Sequence, residues 1–573
     1  MNFPKRLSIG WLQQCYQAQR LTPYEVMQEI LRRVQQHADN PIWITRPSEE
    51  MVQPYLQRLQ EMDPLQYPLW GIPFAIKDNI DLAGVPTTAA CAAYAYTPKK
   101  SAYVVQKLIE AGAIPIGKTN LDQFATGLVG TRSFYGEVKN SLRPELISGG
   151  SSSGSAVAVS LGLCAFALGT DTAGSGRVPA ALNHLIGYKS SLGAWSTQGV
   201  VPACASLDTV TVFTDHLADA ELVDRCVRGF DKDCCWSREV PYPDKKRPKR
   251  ICLPENGLEF FGRYQKEYQN KWQQAVQRIK RIGLPIEEIP IDSFRRAASL
   301  LYNGPWIAER WYDLGEFVTD HPGEIFPVTE NILRSGDIPA YTAAKTFGAI
   351  HELQRYKAAA WQLLQDAVLM MPTVGGTFTR DEVRADPVRT NSQLGLYTNH
   401  CNLLDLCAVA VPSDTELDTL PFGITLFGRA DHEGRVLKVA EEFLDPPFME
   451  LAVCGLHMKG MPLASQLLRL GAEYVETCQT AAAYRMVYLD LEPARPGLIG
   501  TQEGTSVEVD LYRLPKPAWG SLLETIQAPL GIGDIKLLDG RVVKGFLCEA
   551  QAASAARDIS SSGGWRNFLR QHP

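Results

Sequence analysis

At 573 residues the chain exceeds what one ordinary core accommodates, and roughly two to four domains are expected. With 45% hydrophobic and 21% charged residues it has the balance of a globular protein, with ample apolar material for sizeable cores. A formal net charge of −6, with no long basic run or basic amphipathic stretch, argues against nucleic acid or an anionic membrane as partner.

The opening MNFPKRLSIGWLQQ lacks the continuous apolar stretch of a secretory signal. No window approaches the roughly eighteen uninterrupted apolar residues of a membrane span. The nearest, 156–168, is rich in Ala and Gly and reads as a short buried helix. Thirteen cysteines, an odd number, show neither disulfide-framework nor zinc-ligand spacing, and nine histidines are scattered without an HxxxH pair. The expectation is a cytoplasmic protein with reduced thiols, no metal site and no cofactor.

In chain order, residues 23–36 predict an amphipathic helix with Val26, Ile30, Leu31 and Val34 on one face. From Gly71 strands (74–76, 114–116) alternate with helices (102–111, 121–126). Ser101 and Asn120 are placed as N-caps and Gly112 as a helix stop. This alternation predicts an α/β core with a mixed or parallel sheet. Residues 241–250 read as a surface loop before a strand at 250–253, 260–364 as mostly helical, and 370–373 as a late strand. EEFLDPPF closes a helix and marks a boundary, giving domains 1–446 and 447–573. Beyond it a strand at 451–454 and the alternating VEVDLYRL at 507–514 favour β structure.

The chemistry concentrates in 149–176, GGSSSGSAVAVSLGLCAFALGTDTAGSG. A flexible linker would not run on into an apolar helix and a strand-like segment, and the phosphate-loop patterns are absent. A hydrolytic serine needs a base and donors for the developing oxyanion. Ser175 and the N–H groups of Thr172, Ala173, Gly174 and Ser175 suit the nucleophile and the donors. No histidine stands in a suggestive context. Lys77 does: it ends the apolar run GIPFAI, where burial lowers an amine towards neutrality.

GIPFAIKDNID, GGSSSGS and GTDTAGSGRVPA, in that order, resemble the successive signatures of the amidase-signature hydrolases, over roughly 21–444. The resemblance implies an α/β fold with a central mixed sheet flanked by helices. It also implies a triad in which Lys77 is the base, Ser151 the bridging serine with an unusual cis peptide, and Ser175 the nucleophile. Asp171 and Arg177 are expected to brace the loop, and Ser152, Ser153 and Ser155 to serve as hydrogen-bonding scaffold.

Within that family, NLDQFATGLVGTRSFYG and LYNGPWIAERW look like the allophanate hydrolases. The match implies that Tyr302 and Arg310 bind the substrate, allophanate, an arginine fork being suited to its carboxylate. If both lie on one helix, they share a face about two turns apart. AVCGLHMKGMPL at 452–463 resembles the start of the extra domain of these enzymes, a small α+β unit similar to gamma-glutamyl cyclotransferases. There it implies processing of the product N-carboxycarbamate, with His457 as the matching histidine. The resemblance further implies a homodimer, and a link to a biotin-dependent urea carboxylase or to a cyanurate or biuret pathway. KSSLG at 189–193, His184 and Phe134 depart from the usual pattern without touching the triad. The alternative is another small-amide or carbamoyl hydrolase, with the C-terminal domain as an assembly module.

Overall fold

The computed structural model describes residues 3–414, 420–554 and 556–572. The chain divides into two compact units, Met1–Leu444 and Asp445–Pro573.

The first unit is built on eleven strands: β1 (Trp43–Thr45), β2 (Pro73–Lys77), β3 (Ile114–Thr119), β4 (Phe166–Asp171), β5 (Ile186–Lys189), β6 (Thr209–Thr214), β7 (Arg250–Pro254), β8 (Ile286–Ile289), β9 (Ala367–Pro372), β10 (Leu406–Pro412) and β11 (Gly423–Arg429). They form one mixed sheet in the order β1-β3-β2-β4-β6-β5-β10-β11-β9-β7-β8. Strand β2 runs parallel to both β3 and β4, while β4 is antiparallel to β6, with Asp171 opposite Thr209. Every residue of β2, β3 and β4 is buried, as befits central strands covered on both faces. One edge of the sheet therefore gathers the carboxyl ends of β2, β3 and β4 and the start of β6. Ligands of open α/β sheets bind beyond such carboxyl ends.

Helix Pro23–Gln36 matches its predicted bounds, closed by a Thr22–Glu25 capping box that satisfies two orphan donors. Gly112, at φ +95°, ends helix Tyr103–Glu110 as expected. Other elements differ from the sequence reading. Ser101 does not cap that helix; its Oγ accepts the N–H of Ala83 at 3.0 Å. Residues 121–126 hold only a single 3₁₀ turn, Gln123–Ala125, because Phe124 and Ala125 take positive φ. Asn120 correspondingly accepts from Leu121 N–H and the Ser133 hydroxyl. The apolar run 156–168 is a helix only in part: Ser153–Ser160 is helical and Phe166–Asp171 is strand β4. Periodicity could not separate the two, since both segments are buried on every side and neither shows an exposed polar face. Helix Ser153–Ser160 is wholly buried, and its small residues let it lie close on the sheet.

The second unit has its own core around Leu451, Val453, Leu511 and Leu514. A five-stranded sheet takes Glu473–Gln479, Glu508–Pro515, Phe448–Val453, Val542–Cys548 and Leu530–Lys536 in that spatial order. A three-stranded sheet takes Arg495–Gly500, Tyr484–Leu489 and Arg557–Asp558, and short helices complete an α+β unit. Among the described residues no helix is long and apolar enough to cross a membrane.

Candidate active site

Lys77 is the last residue of β2 and is fully buried. Its Nζ donates to Ser151 Oγ and to Thr170 Oγ1, both at 2.7 Å. Burial holds the amine down to about 7, against the opposing pull of the Asp122, Asp208 and Asp171 carboxylates. Ser151 follows a cis Gly150–Ser151 peptide, and its carbonyl accepts the N–H of Asp122 at 3.1 Å. The neighbouring serines tie the loop to the sheet: Ser152 Oγ donates to Thr170 O at 3.2 Å and Ser155 Oγ to Leu168 O at 2.8 Å.

Ser175 sits in the turn after β4. The turn is held by Asp171, whose carboxylate accepts Gly174 N–H at 2.8 Å and Gly176 N–H at 3.0 Å. The Arg177 guanidinium grips the same carboxylate with two bonds of 2.9 Å, a fork between fully buried partners. Burial opposes ionisation of Asp171, yet Arg177 brings the carboxyl below its ordinary value. Gly174 has φ +131°, and a Cβ there would run into the Thr398 side chain, so only glycine fits. Its N–H is committed to Asp171, whereas among the described residues those of Thr172, Ala173 and Ser175 have no acceptor within the chain. Ser175 Oγ donates to the Gly127 carbonyl at 3.5 Å rather than to Ser151. The serine is 4% exposed, close to closed off from solvent.

Tyr302 and Arg310 do not share a helix. Helix Asp292–Asn303 ends at Gly304, in extended backbone, and a second helix, Trp306–Asp320, begins after Pro305. A proline disfavours helical backbone in the residue before it, an effect that periodicity alone does not register. The two side chains still meet, the Arg310 guanidinium lying 5.5 Å from the Tyr302 ring centre. Arg310 is 1% exposed, and its Nη1 donates to Thr126 Oγ1 at 3.1 Å. Glu309, its sequence neighbour, is occupied by Ser206 and Cys204. Among the described residues no carboxylate pairs with Arg310, and its Nε has no partner.

Several residues that sequence reasoning passed over stand at this edge. Asp122 accepts the N–H groups of Val129, Gly130 and Arg132, so it shapes the loop that presents the Gly127 carbonyl. Asp208, immediately before β6, accepts the Thr172 hydroxyl and the N–H groups of Ala203 and Cys204; burial raises its carboxyl to about 6. Thr170 lies within the Gly/Ser-rich motif, and strand alternation from Asp171 would have set it apart. Asp208 carried no local signal, because antiparallel pairing with β4 brings it here.

In the second unit His457 stacks on Phe546, with ring centres 5.2 Å apart, and its Nε2 is 3.0 Å from Gln466 Oε1. Burial lowers its pKa below the ordinary histidine value. It lines a cavity of about 300 Å³ together with Gln466, Glu492, Arg495 and Gln527. This site is separate in sequence from the Lys77–Ser151–Ser175 grouping.

A mixed sheet presenting a lysine, a cis-peptide serine and a glycine-flanked serine on one edge defines an amidase. Residues 25–437 match the amidase family model, and the chain belongs to that family. Residues 449–570 match the model of the allophanate hydrolase C-terminal domain. The structure of allophanate hydrolase from Kluyveromyces lactis is 35% identical, covers 99% of both chains and superposes with a TM-score of 0.72. Urea amidolyase of Saccharomyces cerevisiae is 38% identical over 92% of this chain. The chain spans only 31% of that protein and 32% of the urea amidolyase of Lachancea kluyveri, about a third of their length. A glutamyl-tRNA(Gln) amidotransferase component from Synechococcus sp. is 31% identical, over 66% of this chain and 83% of its own.

Proposed function

We propose that the protein hydrolyses allophanate, with Ser175 as nucleophile, Ser151 as proton relay and Lys77 as base. The observation that carries the substrate is Arg310: a fully buried guanidinium beside Tyr302 with no carboxylate of its own among the described residues. A buried unpaired charge is costly, and an anionic substrate relieves the cost.

In this reading Ser175 Oγ turns from the Gly127 carbonyl to Ser151, passes its proton through Ser151 to the neutral Lys77, and attacks the amide carbon. The free N–H groups of Thr172, Ala173 and Ser175 receive the oxyanion. Ammonia leaves with a proton returned from Lys77. Water then cleaves the acyl-serine, releasing N-carboxycarbamate. The His457 pocket takes that product on to ammonia and carbon dioxide, in a unit read as similar to gamma-glutamyl cyclotransferases. The sum is allophanate, a proton and water giving two ammonia and two carbon dioxide. The protein is read as cytoplasmic and homodimeric, supplied by a urea carboxylase or by cyanurate or biuret breakdown.

The test is ammonia release from fresh allophanate beside urea, biuret and a simple aliphatic amide. Strong preference for allophanate supports the reading; activity on the simple amide alone would overturn it in favour of a general amidase. Arg310→Ala is expected to raise KM for allophanate roughly 10- to 100-fold, the worth of a charge-assisted bond, with kcat reduced much less. An unchanged KM would remove Arg310 from the site.

The C-terminal reading has its own check. His457→Ala in the full chain is expected to leave the first ammonia unchanged while slowing the second and letting N-carboxycarbamate accumulate, followed by ¹³C NMR on labelled allophanate. Two ammonia at the wild-type rate would favour the unit as an assembly module.

A further inference from the structure

Arg132 is a second buried guanidinium at this edge, also 1% exposed. Its Nη1 donates to the Thr126 carbonyl at 3.0 Å and its Nη2 to the Pro387 carbonyl at 2.8 Å, while its Nε has no partner. Arg310 donates to the hydroxyl of the same Thr126, and the next residue, Gly127, receives Ser175. Two guanidiniums thus flank one residue, next to the proposed nucleophile. Among the described residues neither forms an ion pair. The carboxylates nearby act on them without an ion pair: Asp122 accepts three backbone N–H groups, Arg132's own among them, and partly offsets the Arg132 charge, while Asp208 accepts two N–H groups and the Thr172 hydroxyl and feels Arg310. One positive charge would suffice to bind a monoanion such as allophanate.

The chemistry accounts for the second. Attack on allophanate gives a tetrahedral species carrying an oxyanion as well as the carboxylate. Hydrolysis of the acyl-serine again doubles the charge, since N-carboxycarbamate is a dianion. We propose that Arg132 is a specificity-determining residue that, with Arg310 across Thr126, selects for the doubly charged species formed from a carboxylate-bearing amide. This rests on the allophanate reading and adds to it: Arg310 holds the carboxylate throughout, and Arg132 supplies the charge needed only once the second negative charge has formed. An interaction made only then acts on turnover rather than on substrate binding.

Malonate has the shape and double charge of N-carboxycarbamate, and malonamate the single charge of allophanate. Their affinities for the full chain are to be measured by calorimetry in a Ser175→Ala background, where malonamate is not cleaved, with wild-type allophanate turnover measured beside them. Arg132→Gln is expected to weaken malonate about 10-fold or more and malonamate less than about 3-fold, because a buried cation matters most to the species with the extra charge. Equal weakening of both, or none, would overturn the proposal while leaving the allophanate reading intact. Wild type that neither turns over allophanate nor binds malonate would overturn both. Should Arg132→Gln fail to fold, Arg132→Lys decides: it keeps the charge but loses the fork to Thr126 and Pro387. The preference for malonate over malonamate is then expected to survive, and its loss would sink the idea.

Discussion

Replacing Ser175 by alanine is expected to reduce ammonia release from allophanate by about 10,000-fold or more, with the protein still folded. The loss is large because the serine and its proton path act as a unit, and the other hydroxyl of the turn, that of Thr172, is tied to Asp208. The fold survives because the Ser175 side chain does little for it: its Oγ makes one long bond, 3.5 Å, to Gly127. The turn is held instead by Asp171 and Arg177, through four bonds of 2.8–3.0 Å. Stability is expected to change by less than about 1 kcal/mol, the net worth of one ordinary hydrogen bond. Activity and a thermal melt on the same preparation check both halves. Near-normal turnover would remove Ser175 as nucleophile, and loss of activity together with the fold would mean that the serine is structural. Asp171→Asn is the contrasting variant: it leaves Arg177 buried without its partner, so the turn itself should be lost.

That contrast shows which parts of the site a sequence carries. Lys77, Ser151 and Ser175 stand in short motifs whose backbone is fixed locally: a strand end, a Gly/Ser loop and a Gly-flanked turn. The parallel pairing of β2 with β4 then brings Lys77 beside Thr170, and the same amine reaches Ser151. Arg310 and Tyr302 were legible as residue types, but their relation was not, since Pro305 splits the expected helix and the contact is made across the break. Asp122, Asp208 and Arg132 were not singled out. Their roles depend on which N–H groups, hydroxyls and carbonyls they meet, and those partners are fixed by strand order and loop conformation. The fold follows the same division. The Thr22 box and the Gly112 stop are local and were readable, whereas the point at which 156–168 changes from helix to strand is set by packing on both faces of a buried sheet.

Lys77→Met tests the base through two independent pH dependences. In the wild type Lys77 must be neutral to accept a proton, so kcat/KM should fall as pH drops through about 7, the value to which burial holds the amine. Asp208, raised to about 6, would add a second limb below it that the variant retains. The variant should lose about 100- to 10,000-fold in turnover, and with it the limb near 7. Stability should respond in the opposite sense to the usual lysine. An amine held near 7 when folded, but at its ordinary 10.5 when unfolded, binds protons preferentially in the unfolded state. The resulting penalty is absent above about pH 10.5, grows as pH falls towards 7, and is constant below; at about 1.4 kcal/mol per unit it reaches a few kcal/mol. Methionine removes the penalty but orphans the hydrogen bonds to Ser151 and Thr170, so the absolute stability is the less informative quantity. The difference between variant and wild type, followed by chemical denaturation from pH 7 to 10.5, isolates the lysine because every other group titrates in both. It should move in favour of the variant as pH falls. A difference independent of pH would mean that Lys77 is charged in the folded protein at neutral pH, and a charged amine cannot act as the base.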